Sequence, residues 1–130
     1  MYEKITRDIV ITVRPFFLDE QSEPDRNHFV WAYRINILNQ GEETVQLINR
    51  HWQITDKFGH LQEVKGPGVV GQQPILKPGA SYGYTSGCPL GTPSGIMVGT
   101  YEMATLEGAR FLVEIPPFSL DSPHDSASIN

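Results

Sequence analysis

Apolar residues recur at every second position along most of the chain, and the 3.6-residue period of an amphipathic helix is nowhere sustained, which predicts an all-β domain. Ile9, Ile11 and Val13 define a first strand that Pro15 should end by removing a ladder donor. Phe29, Trp31, Tyr33, Ile35 and Ile37 share one face of a long second strand, followed by the turn residues Asn39-Gln40-Gly41. A third strand runs from Val45 to Asp56. Its apolar residues change parity midway, from Val45 and Leu47 to Ile48, Trp52 and Ile54, so either a bulge or burial of both faces is expected there. Shorter strands follow at Leu61 to Val64, Ala80 to Ser86, Ile96 to Ala104 and Arg110 to Ile115, the last stopped by Pro116-Pro117. About seven to eight short antiparallel strands separated by turn signals predict a β-sandwich of immunoglobulin or fibronectin-III type, with a small barrel as the competing architecture. Residues 1–120 form a single domain on this reading, and the Ser- and Asp-rich residues 121–130 form a mobile tail.

Composition narrows the function. The 130 residues carry 15 acidic against 10 basic side chains, a net charge of −5, which excludes the Lys/Arg excess behind non-specific nucleic-acid binding. No run of 18 apolar residues and no apolar core near the N-terminus predicts a membrane span or a secretory signal, so no membrane partner is expected. A lone cysteine, Cys88, cannot form an intrachain disulfide, and a reducing cytoplasm fits best. An edge strand of an open sandwich makes a homodimer conceivable.

From Val64 to Tyr101 there is no Asp or Glu, while nine of the 12 glycines and five of the 10 prolines fall in that interval. Such a segment is locally basic and rich in accessible main chain. Successive N–H groups in turns can form concave anion-binding nests, although sandwich turns need glycine for structural reasons alone. Within it, Gly66-Pro67-Gly68-Val69-Val70-Gly71 has the three-glycine spacing of a dinucleotide fingerprint. Pro74 and Pro78 forbid the helix that fingerprint requires, and no acidic residue follows until Glu102, so a Rossmann reading fails on context. What remains is capture of a polar or anionic group, pyrophosphate or nucleotide, by the main chain of loop 66–74 with Gln72 and Gln73.

Catalytic and metal signatures are sparse. His28, His51, His60 and His124 lack the paired spacing of a preorganised metal site; His51 and His60 could converge with Asp56 across a hairpin, against the simpler reading of satisfied structural or surface histidines. Arg50-His51-Trp52 places Arg50 on the face of Trp52 and His51 on the other, where Arg50 is either ion-paired or in contact with a ligand. Cys88, expected in a loop before Pro89, has no evident base, and no serine lies in a nucleophile elbow. The acidic run from Asp19 to Asp25 does not follow a calcium-loop spacing. No enzyme activity is indicated.

The segments Arg50 to Asp56, Val64 to Pro74, Leu76-Lys77-Pro78-Gly79, Tyr84-Thr85-Ser86, Gly95 to Met103 and Ile115 to Phe118 together resemble the ApaG family over about residues 5–120. The resemblance implies a fibronectin-III-like sandwich without established enzymatic activity or cofactor, and a link to cobalt and magnesium efflux. It further implies a protein-interaction role like that of similar domains in eukaryotic F-box and polymerase-interacting proteins. Gly66 to Gly71 corresponds to the family's glycine motif, for which pyrophosphate binding is implied. The expected role is a non-catalytic binding module, most simply for another protein. Its candidate contact residues are Arg50, His51, Gly66, Gly68, Gly71, Gln72 and Gln73.

Overall fold

The computed structural model describes residues 1–125, which form nine β-strands in two antiparallel sheets. The strands are β1 (Tyr2–Thr6), β2 (Ile9–Phe17), β3 (Phe29–Asn39), β4 (Val45–Asp56), β5 (Leu61–Pro67), β6 (Ile75–Leu76), β7 (Ser81–Leu90), β8 (Gly95–Thr105) and β9 (Arg110–Leu120). One sheet has the order β1-β2-β3-β7; the other has β5-β4-β8-β9, with the short β6 paired to the start of β4. The chain is thus an all-β sandwich, as its alternation predicts. Two strands had no expectation behind them. β1 buries neither face completely and so shows no alternation, and β6 is two residues long.

Where period 2 is strongest, prediction and structure coincide. In β3 the residues Phe29, Trp31, Tyr33, Ile35 and Ile37 are all buried against the facing sheet. Tyr33, Trp52 and Phe118 meet ring to ring, with centroids 5.5 to 5.9 Å apart, and join the two layers. The Trp31 indole, otherwise buried, donates to the carbonyl of Asp121 at 2.8 Å.

Prolines end neither strand as expected, for two reasons readable from register. Leu18 donates to Val30, so even-numbered β2 residues serve the β3 ladder, and the nitrogen of Pro15 faces the side where β1 has already stopped opposite Val13. No donor is missed there, and β2 runs on to Phe17. In β9, Ile115 lies opposite Gly99 and Phe118 opposite Met97, so Pro116 and Pro117 occupy a bulge, where no ladder donor is required.

One further expectation is corrected. Cys88 lies in β7 opposite Trp31 rather than in a loop, and burial pushes its thiol up to about 11. The acidic stretch folds into two short 3₁₀ turns, Asp19–Gln21 and Pro24–Arg26. The C-terminal stretch is tied down as far as it is described: the Ser122 hydroxyl donates to the Pro93 carbonyl at 2.6 Å, and Lys57 pairs with Asp125 at 2.6 Å. The remainder of the expected mobile tail, residues 126–130, lies outside the described residues.

The two open edges of the sandwich differ. Side chains close the β1/β9 side: Lys4 pairs with Glu114 at 3.2 Å, Tyr2 hydroxyl meets Ser119 Oγ at 3.1 Å, and the Arg7 guanidinium lies 4.5 Å over the Phe111 ring. The opposite side, between edge strands β5 and β7, keeps cavities between the layers. Within the second sheet β4 crowds β8, where a Cβ on Gly99 would stand 2.6 Å from Trp52 Cε3 and 2.9 Å from the His51 carbonyl. Gly99→Ala should therefore overpack the sheet and cost about 1–3 kcal/mol, read as a lower urea midpoint with an unchanged slope.

Candidate functional site

The site begins with one extra residue. Leu47 lies opposite Met103 and Asn49 opposite Glu102, so Ile48 is a bulge in β4. Before it, Val45 and Leu47 point into the core; after it, Trp52 and Ile54 do. The parity change foreseen in the sequence has this cause. Its consequence is that Arg50 points inward between the sheets, while Asn49 and His51 point outward. The bulge also leaves the Ile48 carbonyl free of the ladder. It accepts the Gly68 amide at 2.8 Å and the Gln73 side-chain amide at 2.9 Å, anchoring both ends of the glycine-rich loop.

Two motif glycines, Gly66 and Gly68, answer to a contact, and Gly71 to a turn. A Cβ on Gly66 would approach the Arg50 guanidinium to 3.1 Å, so glycine lets that side chain lie across β5. Gly68 adopts φ +61, and a Cβ there would fall 2.2 Å from the Gln72 carbonyl. Val69 and Gln72 exchange main-chain hydrogen bonds at 2.8 and 2.9 Å, closing a tight turn around Val70 and Gly71. Both central residues have positive φ, 42 and 81, the requirement of a type I′ turn. Gly71 meets it freely. Val70, β-branched and 56% exposed, is strained. Val69 is buried in the core, so the loop also plugs this end of the sandwich.

The loop presents carbonyls where a nest would present amides. Arg50 Nη1 donates to the carbonyls of Pro67 and Gly68, both at 3.0 Å, and the amides of Gly68, Val69 and Gln72 are spent within the fold. Among the described residues no carboxylate pairs with Arg50, so carbonyl oxygens take the place of the ion-pair partner expected for it. The Gln73 side chain and main chain brace the loop against Ile48 and Gln46, and Gln72 is exposed.

His51 belongs to the outer face. Its Nε2 lies 3.0 Å from Glu63 Oε2, and Lys65 reaches the same carboxylate at 3.9 Å. Asn49 donates to Glu102 at 2.7 Å, and Arg110 pairs with that oxygen at 3.2 Å. Asn49, His51, Lys65 and Glu102, with Arg50, Gly66, Pro67, Thr100 and the 61% exposed Leu112, line a groove of about 490 Å³ over β4, β5, β8 and β9. His60 does not converge with His51. It sits 3.2 Å from Asp56, whose carboxylate also accepts the Phe58 and His60 amides. Desolvation raises the Asp56 pKa, but those two amides and the His60 ring outweigh it and hold the carboxyl below its ordinary value. Among the described residues no three His, Cys, Asp or Glu side chains gather as a metal site.

A set of inward hydroxyls escapes sequence reading. Tyr84 and Tyr101 share a short buried hydrogen bond, and Tyr33 and Ser86 pair nearby. Burial raises all three phenols, keeping them protonated at neutral pH. Alternation puts Tyr33 inside; that three strands, β3, β7 and β8, deliver hydroxyls to the surroundings of Arg50 depends on which strands face each other.

Residues 19–105 match the family model described as the ApaG domain. The chain belongs to the ApaG family. It is 64% identical to the protein ApaG of Paramagnetospirillum magneticum and 58% identical to that of Brucella suis, each over the full length of both chains. The crystal structure of an ApaA protein from Bordetella pertussis is 47% identical and superposes with a TM-score of 0.87, covering 91% of this chain and 96% of that one. The family model leaves out β1, β2 and β9, yet the ApaG relatives align across them, in keeping with the buried side chains β2 and β9 give the core. No helix among the described residues of this ApaG chain is long and apolar enough to cross a membrane.

Two predictions follow from the loop and the Asp56 turn. Gly68→Ala should destabilise by about 1–3 kcal/mol, whereas Val70→Asn, which tolerates the left-handed region, should relieve strain and stabilise by up to about 1 kcal/mol; paired urea melts of the two variants check both signs. Because the folded-state pKa of Asp56 is depressed, its contribution is complete above the ordinary carboxylate value and is lost as pH falls through the folded value. Amide exchange at Phe58 and His60, corrected for intrinsic rates, should accelerate in that acidic window and not in Asp56→Asn.

Proposed function

We propose that this ApaG-family chain is a non-catalytic binding module that takes a segment of another protein in the groove beside the glycine-rich loop. The observation that supports it is the 490 Å³ groove, in which an exposed leucine, Leu112, lies among the polar side chains of Asn49, His51, Lys65 and Thr100. A partly apolar recess rimmed by polar groups is the common form of a protein contact surface. Val70 adds a strained apolar residue held outward at the neighbouring loop tip, a backbone cost that fits a contact role. The groove side chains form pairs that lock one another, His51 with Glu63 and Asn49 with Glu102, without the nucleophile, base and orienting group of a catalytic constellation.

On this reading the family's link to cobalt and magnesium efflux runs through the partner, since the acidic and imidazole groups of the described residues are dispersed. Pyrophosphate or nucleotide capture by the loop main chain is the weaker reading, because three of the loop amides are already bonded within the fold.

Affinity capture from a lysate, followed by titration of the purified partner, tests the proposal with Leu112→Asp and Lys65→Glu. Both side chains are exposed, so melting temperatures should hold while affinity for the partner falls at least tenfold. Undiminished affinity in both variants would overturn the groove assignment, and saturable calorimetric heat from magnesium or cobalt alone would overturn the indirect account of metal efflux.

A further inference from the structure

The open side of the sandwich, between edge strands β5 and β7, holds two cavities of about 180 Å³ each. They share Tyr33, Arg50, Trp52 and Ser86, so Arg50 stands between two halves of one cleft, and it also reaches the wall of the groove on the other side of β5. We propose that this cleft is a carboxylate-binding site in which the Arg50 guanidinium is the recognising group and the hydroxyls of Ser86 and Tyr33 are its neighbours. The proposal rests on the binding-module reading and names the chemistry it recognises at a second position.

A guanidinium has five N–H donors in a rigid plane. Here the two on Nη1 are used by the Pro67 and Gly68 carbonyls, which fix the plane of the fork; the Nη2 and Nε groups have no protein acceptor among the described residues. No buried side-chain nitrogen of the described residues lacks a partner, so those donors are open to solvent. A half-used, orientationally locked fork is suited to a planar, bidentate acceptor. Charge points the same way. Across residues 64–101, which include the loop and all of β7, there is no Asp or Glu, in a protein whose net charge is −5.

The same features select among anions. Arg50 is the one cationic side chain lining either cavity, and Lys65 lies on the groove side. One cation balances a carboxylate and leaves a phosphate dianion half-compensated. A volume of 180 Å³ on either side holds a carboxylate with a short aliphatic stem and is far smaller than a nucleotide needs. The phenols stay protonated, so they serve as neutral donors or acceptors beside the bound anion. Two sources of the group share this chemistry: an Asp or Glu side chain, and the free C-terminus of a peptide.

The test is an NMR titration of labelled protein, following the Arg50 Nε–Hε signal and the Gly66 and Gly87 amides. The probes are sodium acetate, N-acetylaspartate amide and N-acetylglycine, with sodium chloride at matched ionic strength and acetamide as controls. The expected result is saturable, millimolar carboxylate shifts that chloride and acetamide do not reproduce. Arg50→Lys keeps the charge but loses the fork and should weaken binding at least tenfold; Ser86→Ala leaves the loop contacts intact and should weaken it several-fold. Arg34→Gln, which removes an exposed arginine from the outer face of β3, should bind as wild type. Tighter binding of N-acetylaspartate amide would assign the site to an acidic side chain, and of N-acetylglycine to a chain terminus. Acetate shifts no larger than those of chloride, or wild-type affinity in both Arg50→Lys and Ser86→Ala, would overturn the proposal. Ser86 lines the cleft and not the groove, and Leu112 and Lys65 line the groove and not the cleft, so Ser86→Ala on one side and Leu112→Asp and Lys65→Glu on the other let the two readings fail separately.

Discussion

The one-residue bulge at Ile48 governs the functional end of this molecule. A strand presents side chains to alternate faces, so one inserted residue reverses the assignment of everything beyond it. Without it, Asn49 and His51 would enter the core and Arg50 would face solvent; with it, Trp52 and Ile54 fill the core and Arg50 enters the inter-sheet cleft. The same insertion frees the Ile48 carbonyl to hold Gly68 and Gln73. Side-chain direction, loop anchorage and cleft chemistry therefore trace to a single departure from the ladder.

The glycine motif acquires a structural meaning in this setting. Its spacing resembles that of a phosphate-binding turn, but its glycines serve an arginine: Gly66 makes room for the guanidinium, Gly68 permits the close return of Gln72, and Gly71 supplies a left-handed turn residue. The carbonyls released by that path, not the amides, converge on a charge, and the charge they hold is positive. Anion recognition at this end of the fold then falls to the arginine side chain.

The asymmetry of the two edges completes the picture. Ionic and hydroxyl contacts join β1 to β9 and close one side of the sandwich, whereas β5 and β7 flank a cleft whose polar groups come from β3, β4 and β7. Edge strands need protection against unwanted pairing, and both open ones carry it in their residues: Lys65, Gly66 and Pro67 on β5, Gly83, Gly87 and Pro89 on β7. Recognition at this side is accordingly carried by side chains and shape.

Much of this was legible in the chain itself. Strict alternation over Phe29 to Ile37 identifies a strand buried on one face because burial selects apolar residues at period 2, and the parity change after Leu47 announces the bulge for the same reason. Proline positions are less legible, since a proline ends a strand only where its missing donor has a partner to serve. That depends on whether β1 extends past Val13 and whether a bulge spans Pro116 and Pro117. Candidate residues Arg50, Gly66 and Gly68 could be named from sequence, but not their mutual contact. The pairing of His60 with Asp56 is local and within reach of the sequence, while that of His51 with Glu63 is set by β4–β5 register. Period, turn chemistry and composition are properties of neighbouring residues, so the sequence alone determined the sandwich, the parity change and the acid-free segment. The meeting of Arg50 with Tyr33 and Ser86 joins three strands of two sheets, and only long-range packing, which decides which faces oppose each other, could settle it.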